Sequence, residues 1–275
     1  MKKIFRSVLL ILLAALCIAS GISVLIYLRD YHAANNTYEA ASSIALPPAD
    51  ESSPPPEQPD ESEPDVSVPQ PEEVPTPDEA AQSLMDTDLD ALRQVNEKVL
   101  GWIHIPDSDV SYPLLQVSDN NEFLRRSWDG TPNNVGCIFM ECSNQPDFSD
   151  LNTLIYGHFM KNGTMFGSLH YYRDQAYWDG HPYIYIVTDE VIRRYRVFST
   201  YEADLVSDTY RIFPERNQRW QTALDYYVES SVISGTELPT AEDHILTLST
   251  CTGTGTYHSR WVLQAYLDEI YPRNV

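Results

Sequence analysis

The chain has 275 residues with 18 Lys and Arg against 40 Asp and Glu, a formal charge of −22, and a mean hydropathy of −0.34. So negative a surface repels phosphate backbones, and no basic stretch interleaved with aromatics offsets it, which excludes nucleic acid as a partner. Four cysteines do not make a disulfide framework at this length, and no Cys-x-x-Cys, His-Glu-x-x-His, phosphate loop or dinucleotide fingerprint occurs, so neither a metal nor a cofactor is expected.

Residues 7–28 form an uncharged run of 22 residues, mostly Leu, Ile, Val and Ala, long enough to cross a bilayer. Lys2, Lys3 and Arg6 precede it and only Arg29 follows, beside Asp30, which keeps the amino terminus in the cytoplasm and puts the rest outside. A cleaved signal peptide would stop sooner and meet a small-residue site, whereas this run continues through Val24, Leu25 and Ile26, so an uncleaved anchor is predicted. Residues 30–92 then hold 16 Asp and Glu and no Lys or Arg, and residues 47–78 hold eleven prolines and ten acids with little apolar to bury. Such composition predicts an extended, self-repelling spacer. The expected division is a cytoplasmic tip and transmembrane anchor over 1–29, an acidic Pro-rich extracellular linker over 30–85, and one folded domain over 86–275.

Leu89, Leu92, Val95 and Val99 recur at helical spacing behind Asp86 and Asp88, which predicts a short amphipathic helix opening the domain. Eight short runs rich in Val, Ile, Tyr and Leu follow at 101–106, 110–116, 137–141, 151–156, 182–188, 191–201, 245–250 and 261–267, and so many strands imply a barrel or a sandwich. A short helix is expected over 166–173. A longer one is expected between the sixth and seventh strands, where Trp220, Ala223, Leu224, Tyr227 and Val228 share a face behind a capping Asn217.

Cys251 ends the run Thr247-Leu248-Ser249-Thr250-Cys251 and meets the polar, glycine-containing stretch 252–255, the setting of a residue on a barrel rim facing substrate. Nine residues on, Arg260 supplies a fixed cation that favours a thiolate and any oxyanion its attack creates. His158, closing Tyr156-Gly157-His158, is the candidate proton carrier. His258 is its rival by nearness to Cys251 and is expected to be an ordinary polar strand residue. His32, His104, His170, His181 and His244 fall beside the span, inside a strand, or in helices and turns. Cys137 and Cys142, five apart on one strand, point to opposite faces and are read as core.

These residues resemble the sortases, membrane-anchored cysteine transpeptidases, and in particular their class B. The Thr-Leu-Ser-Thr-Cys run, Tyr-Gly-His and Arg260 match the family's three catalytic positions; Val99-Leu100-Gly101-Trp102-Ile103, the Asp119-Asn120 segment leading to Leu124, and Asn162-Gly163-Thr164-Met165-Phe166-Gly167 extend the likeness over residues 89–267. The resemblance implies a mainly β fold, an eight-stranded sortase-type barrel with an N-terminal helix and a long helix between strands 6 and 7. It further implies that Cys251, His158 and Arg260 are catalytic and that Asn120, Leu124, Ser249 and Tyr210 line a peptide groove. The implied partners are secreted proteins bearing a C-terminal sorting signal, an amine of a peptidoglycan precursor or a pilin, and the membrane that holds the anchor. Thr252, where relatives often carry an acid, departs from the pattern. A cysteine peptidase that hydrolyses surface peptides and a non-catalytic surface binding module stay open as alternatives.

Overall fold

The computed structural model describes residues 2–46, 75–235, 237–251 and 258–273. Eight strands form one closed barrel in the order β1-β2-β3-β4-β7-β8-β6-β5. They are β1 (Val99–His104), β2 (Ser111–Gln116), β3 (Ile138–Met140), β4 (Asn152–Tyr156), β5 (Tyr183–Val187), β6 (Val191–Asp204), β7 (Ile245–Cys251) and β8 (Ser259–Pro272). The neighbours β2 and β3, and likewise β4 and β7, run parallel; the other pairs are antiparallel. A parallel pair needs a crossover, and the crossover from β4 to β7 carries β5, β6 and the longest helix after α1.

All eight predicted strands are present in order, two of them longer than expected. Strand β6 runs on to Asp204 and β8 to Pro272, and the two pair along their whole lengths, so packing against a partner carries them past the apolar core of each run. Among the described residues the α-helices are α1 (Lys2–Ala45), α2 (Glu79–Ser83), α3 (Leu89–Val95), α4 (Gln175–Gly180) and α5 (Gln218–Ser230). The Asn217 side chain accepts from the Arg219 and Trp220 amides and so starts α5 as its cap. That helix lays Trp220, Ala223, Leu224 and Tyr227 against Phe198, Tyr201, Ile245 and Val262, a core outside the barrel. This second layer explains why β7 is buried from Ile245 to Thr250, with Cys251 its first exposed residue.

The expected linker starts too early. Residues 30–45 continue α1 as helix, and Tyr38, Ala41 and Ala45, spaced to share one face, are buried against the barrel. Trp128 Nε1 donates to the Thr37 carbonyl at 2.9 Å, Tyr38 Oη to that of Gly136 at 2.6 Å, and the Asp88 amide to that of Ala45 at 2.9 Å. The spacer over 47–74 lies outside the described residues, and the chain rejoins the domain before α2, which Asp78 caps. The opening helix also ends earlier than the spacing of its apolar residues predicts, because Val99 is taken into β1.

Candidate active site

The parallel register sets Tyr156 of β4 beside Ser249 of β7, and the Gly157 amide donates to the Ser249 carbonyl at 3.1 Å. Two residues further on stand His158, just past the end of β4, and Cys251, the last residue of β7. The antiparallel register of β7 with β8 puts Arg260 directly opposite Cys251. Three strands that neighbour one another only in the folded barrel thus deliver thiol, imidazole and guanidinium to one mouth. All three residues line a cavity of about 540 Å³, and so do Asn120, Leu124, Ser249 and Tyr210.

His158 has a built seat. Its Nε2 is 2.8 Å from the Leu124 carbonyl, which can only accept, so Nε2 carries a proton and Nδ1 is the nitrogen left to exchange one. Gly136, at φ +66°, lies under the ring; a Cβ there would stand 2.8 Å from Nε2 and closer still to Cδ2. Only glycine satisfies both the backbone and the ring. The carbonyl of this same Gly136 is the one held by Tyr38 of α1.

The groove walls are fixed by two polar networks. Buried Asn152 donates to the carbonyls of Thr209 and Arg211, which flank Tyr210 and hold its hydroxyl 3.0 Å from Ser249 Oγ. Burial pushes the Tyr210 phenol up to about 12, although Ser249 and the Arg260 charge pull it down, so it stays a neutral hydroxyl. On the other wall Glu141 Oε2 accepts from Asn120 Nδ2 at 2.7 Å and from Tyr156 Oη at 2.9 Å, while Asn120 Oδ1 takes the Cys142 amide. Burial raises the Glu141 carboxyl, but hydrogen bonds from Cys142, Tyr156, Asn120 and the Ser143 amide outweigh it and hold it below the ordinary glutamate range. Tyr156, half-buried beside that carboxylate, has its own pKa driven far upward by desolvation and by the Glu141 charge.

Glu141 and Tyr156 are the polar cavity residues with a network of their own that sequence reasoning missed; Phe139, Leu205 and Thr250 also line the wall. Tyr156 stands in the very run that marked His158; for Glu141 the end of an expected strand was the sole signal. His258 is not a strand residue: it precedes β8 at the surface, its carbonyl accepts from the Leu205 amide, and it is not in the cavity wall. The stretch 252–255 lies outside the described residues. All four cysteines are free, with Cys137 buried and Cys142 half-buried. No cluster of metal-ligating side chains occurs among the described residues.

The family model for the sortase domain matches residues 103–268. Sortase B of Listeria monocytogenes is 33% identical over 184 residues, which is 66% of this chain and 74% of that protein. Among solved structures, a Staphylococcus aureus sortase B–substrate complex is 29% identical with a TM-score of 0.62, over 66% of this chain and 84% of that one. Sortase B from B. anthracis in complex with AAEK1 is 28% identical with a TM-score of 0.65, over 88% of this chain and 99% of that one.

Proposed function

This chain belongs to the sortases, in their class B, and from that premise we propose that Cys251, His158 and Arg260 are the catalytic group of its cysteine transpeptidase activity. The observation that carries the assignment is their common cavity at the ends of β4, β7 and β8. Cys251 thiolate attacks the carbonyl carbon of a threonine in a sorting pentapeptide, the peptide C–N bond breaks, and a thioester forms. Protonated Nδ1 of His158 gives its proton to the departing amine. The same nitrogen then takes a proton from the incoming amine, which attacks the thioester, forms the new peptide bond and returns the thiolate. Arg260, across the strand pair from Cys251, stabilises the oxyanion of both tetrahedral intermediates.

Asn120, Leu124, Ser249 and Tyr210 bind the peptide. Glu141 acts on this groove by consuming one Asn120 donor and the Tyr156 hydroxyl proton, which leaves Tyr156 to the substrate as an acceptor. The accepting amine belongs to a peptidoglycan precursor or a pilin. Of the described helices, one is long and apolar enough to cross a membrane, with its apolar stretch fully exposed, and α1 is assigned as a single-pass anchor with the barrel outside the cell. No cofactor enters the reaction.

The test is ligation of a labelled sorting peptide to an added amine by the full chain. Cys251→Ala and His158→Ala should each abolish product while the unfolding transition stays intact. Near-normal turnover in either variant refutes its role, and peptide release with no ligated product at saturating amine indicates a hydrolase instead.

A further inference from the structure

His170 sits outside the cavity wall, yet it contacts the surroundings of all three proposed catalytic residues. Its Nε2 is 3.0 Å from the carbonyl of Cys251 itself. Its ring lies 4.5 Å from that of Phe159, the residue after His158, and 5.5 Å from that of Trp261, the residue after Arg260. The 3₁₀ segment Gly167–Arg173 that carries it is fastened to the same three places. The amide of Phe166, the residue just before the segment, donates to the carbonyl of His158 at 3.0 Å, and Trp261 Nε1 donates to that of Leu169 at 3.0 Å. The Arg173 guanidinium lies over the Trp261 ring, 4.1 Å from its centroid.

We infer that His170 is a positioning residue, which holds the peptide leaving Cys251 and thereby fixes the nucleophile's direction relative to His158 and Arg260. Cys251 is the last residue of β7, so strand pairing constrains it on its amino-terminal side, and the bond from His170 constrains its carbonyl. A carbonyl accepts and never donates, so the proton must be on Nε2. Burial lowers the His170 pKa, and the Arg173 charge lowers it further, against the Cys251 carbonyl and Glu202, which raise it. Neutral and protonated forms both carry the Nε2 proton, so the contact survives titration and works as a clamp at any pH. Without it the thiol retains its surroundings and loses its aim, and small misplacement of a reacting atom costs rate rather than binding.

The proposal rests on the reading of Cys251 as nucleophile, and its test separates the two. In the full chain, H170Q keeps an amide N–H at the reach of Nε2, H170N has one too short, and H170F keeps the ring and loses the donor. For each, kcat and KM with a sorting peptide are measured beside the pH profile of Cys251 alkylation, read by mass spectrometry on its own peptide. H170F and H170N should lose about tenfold to a hundredfold in kcat with KM changed less than about threefold, and their alkylation profiles should shift. H170Q should recover most of both. Wild-type kcat and profile in H170N and H170F overturn the clamp, as does a loss that H170Q shares equally. A wild-type chain whose turnover survives complete alkylation of Cys251 removes the nucleophile reading, and the clamp with it.

Discussion

Arg260→Lys keeps the charge opposite Cys251 and removes the planar fork, so it measures how far geometry matters beyond charge. Loss of about a hundredfold in kcat is expected, and retention of most activity would reduce Arg260 to a structural role. Glu141 makes a pH prediction. Its carboxyl is held below the ordinary glutamate range, so its contribution is fully present above that range and is lost as pH falls through the lower folded pKa. Glu141→Gln should therefore unfold at lower temperature than wild type at neutral pH, with the gap closing on acidification below about pH 4; a gap that is constant with pH contradicts the network. The proposed catalytic residues stood out in the sequence because Cys251 closes an apolar run beside a polar stretch and, with His158 and Arg260, resembles the sortase motifs; the fold brings the three to one cavity. Glu141 did not stand out, since a strand-terminal acid reads as solvated until Asn120 and Tyr156 are seen bonded to it.

Among the elements, the segment through Gly136 links α1 to the site: Tyr38 holds its carbonyl, and its missing Cβ makes room for the His158 ring. Gly136→Ala should cost about 1–3 kcal/mol of stability from its positive φ alone. It should also lower kcat more than any surface Gly→Ala change, because the ring must leave the Leu124 carbonyl; unchanged kcat would show that His158 has another seat. Every strand was readable from its own apolar run, and α5 from its period and cap. The barrel order was not, because the parallel pairings of β2 with β3 and β4 with β7 join distant segments through contacts with no local signature. The docked part of α1 escaped notice because Ala33, Ala34, Ala40, Ala41 and Ala45 dilute the pattern, and only Tyr38, Ala41 and Ala45 mark its buried face.

For the whole molecule, docking of α1 onto the barrel bears on the anchoring proposed above. Asn162, in the loop that follows His158, donates to Tyr31 Oη at 2.5 Å, three residues past the end of the apolar run at Leu28. With α1 as the proposed anchor, about 1.5 Å per residue would put the loop within roughly 10 Å of the bilayer surface. A fluorophore on Asn162→Cys, with the other accessible thiols replaced, should be quenched by headgroup-labelled lipid to the same degree whatever the length of a Gly/Ser segment substituted for residues 47–74. Quenching that falls as the segment lengthens would restore that segment as the tether. The account as a whole stands on Cys251 forming a thioester that an amine can discharge. Intact-mass measurement of the full chain, incubated with a panel of threonine-containing sorting pentapeptides and then with an amine, tests this directly. The account predicts an acyl adduct that maps to Cys251 and departs as the amide of the added amine. An adduct on another residue, or peptide cleavage with no adduct under any quench, would contradict it.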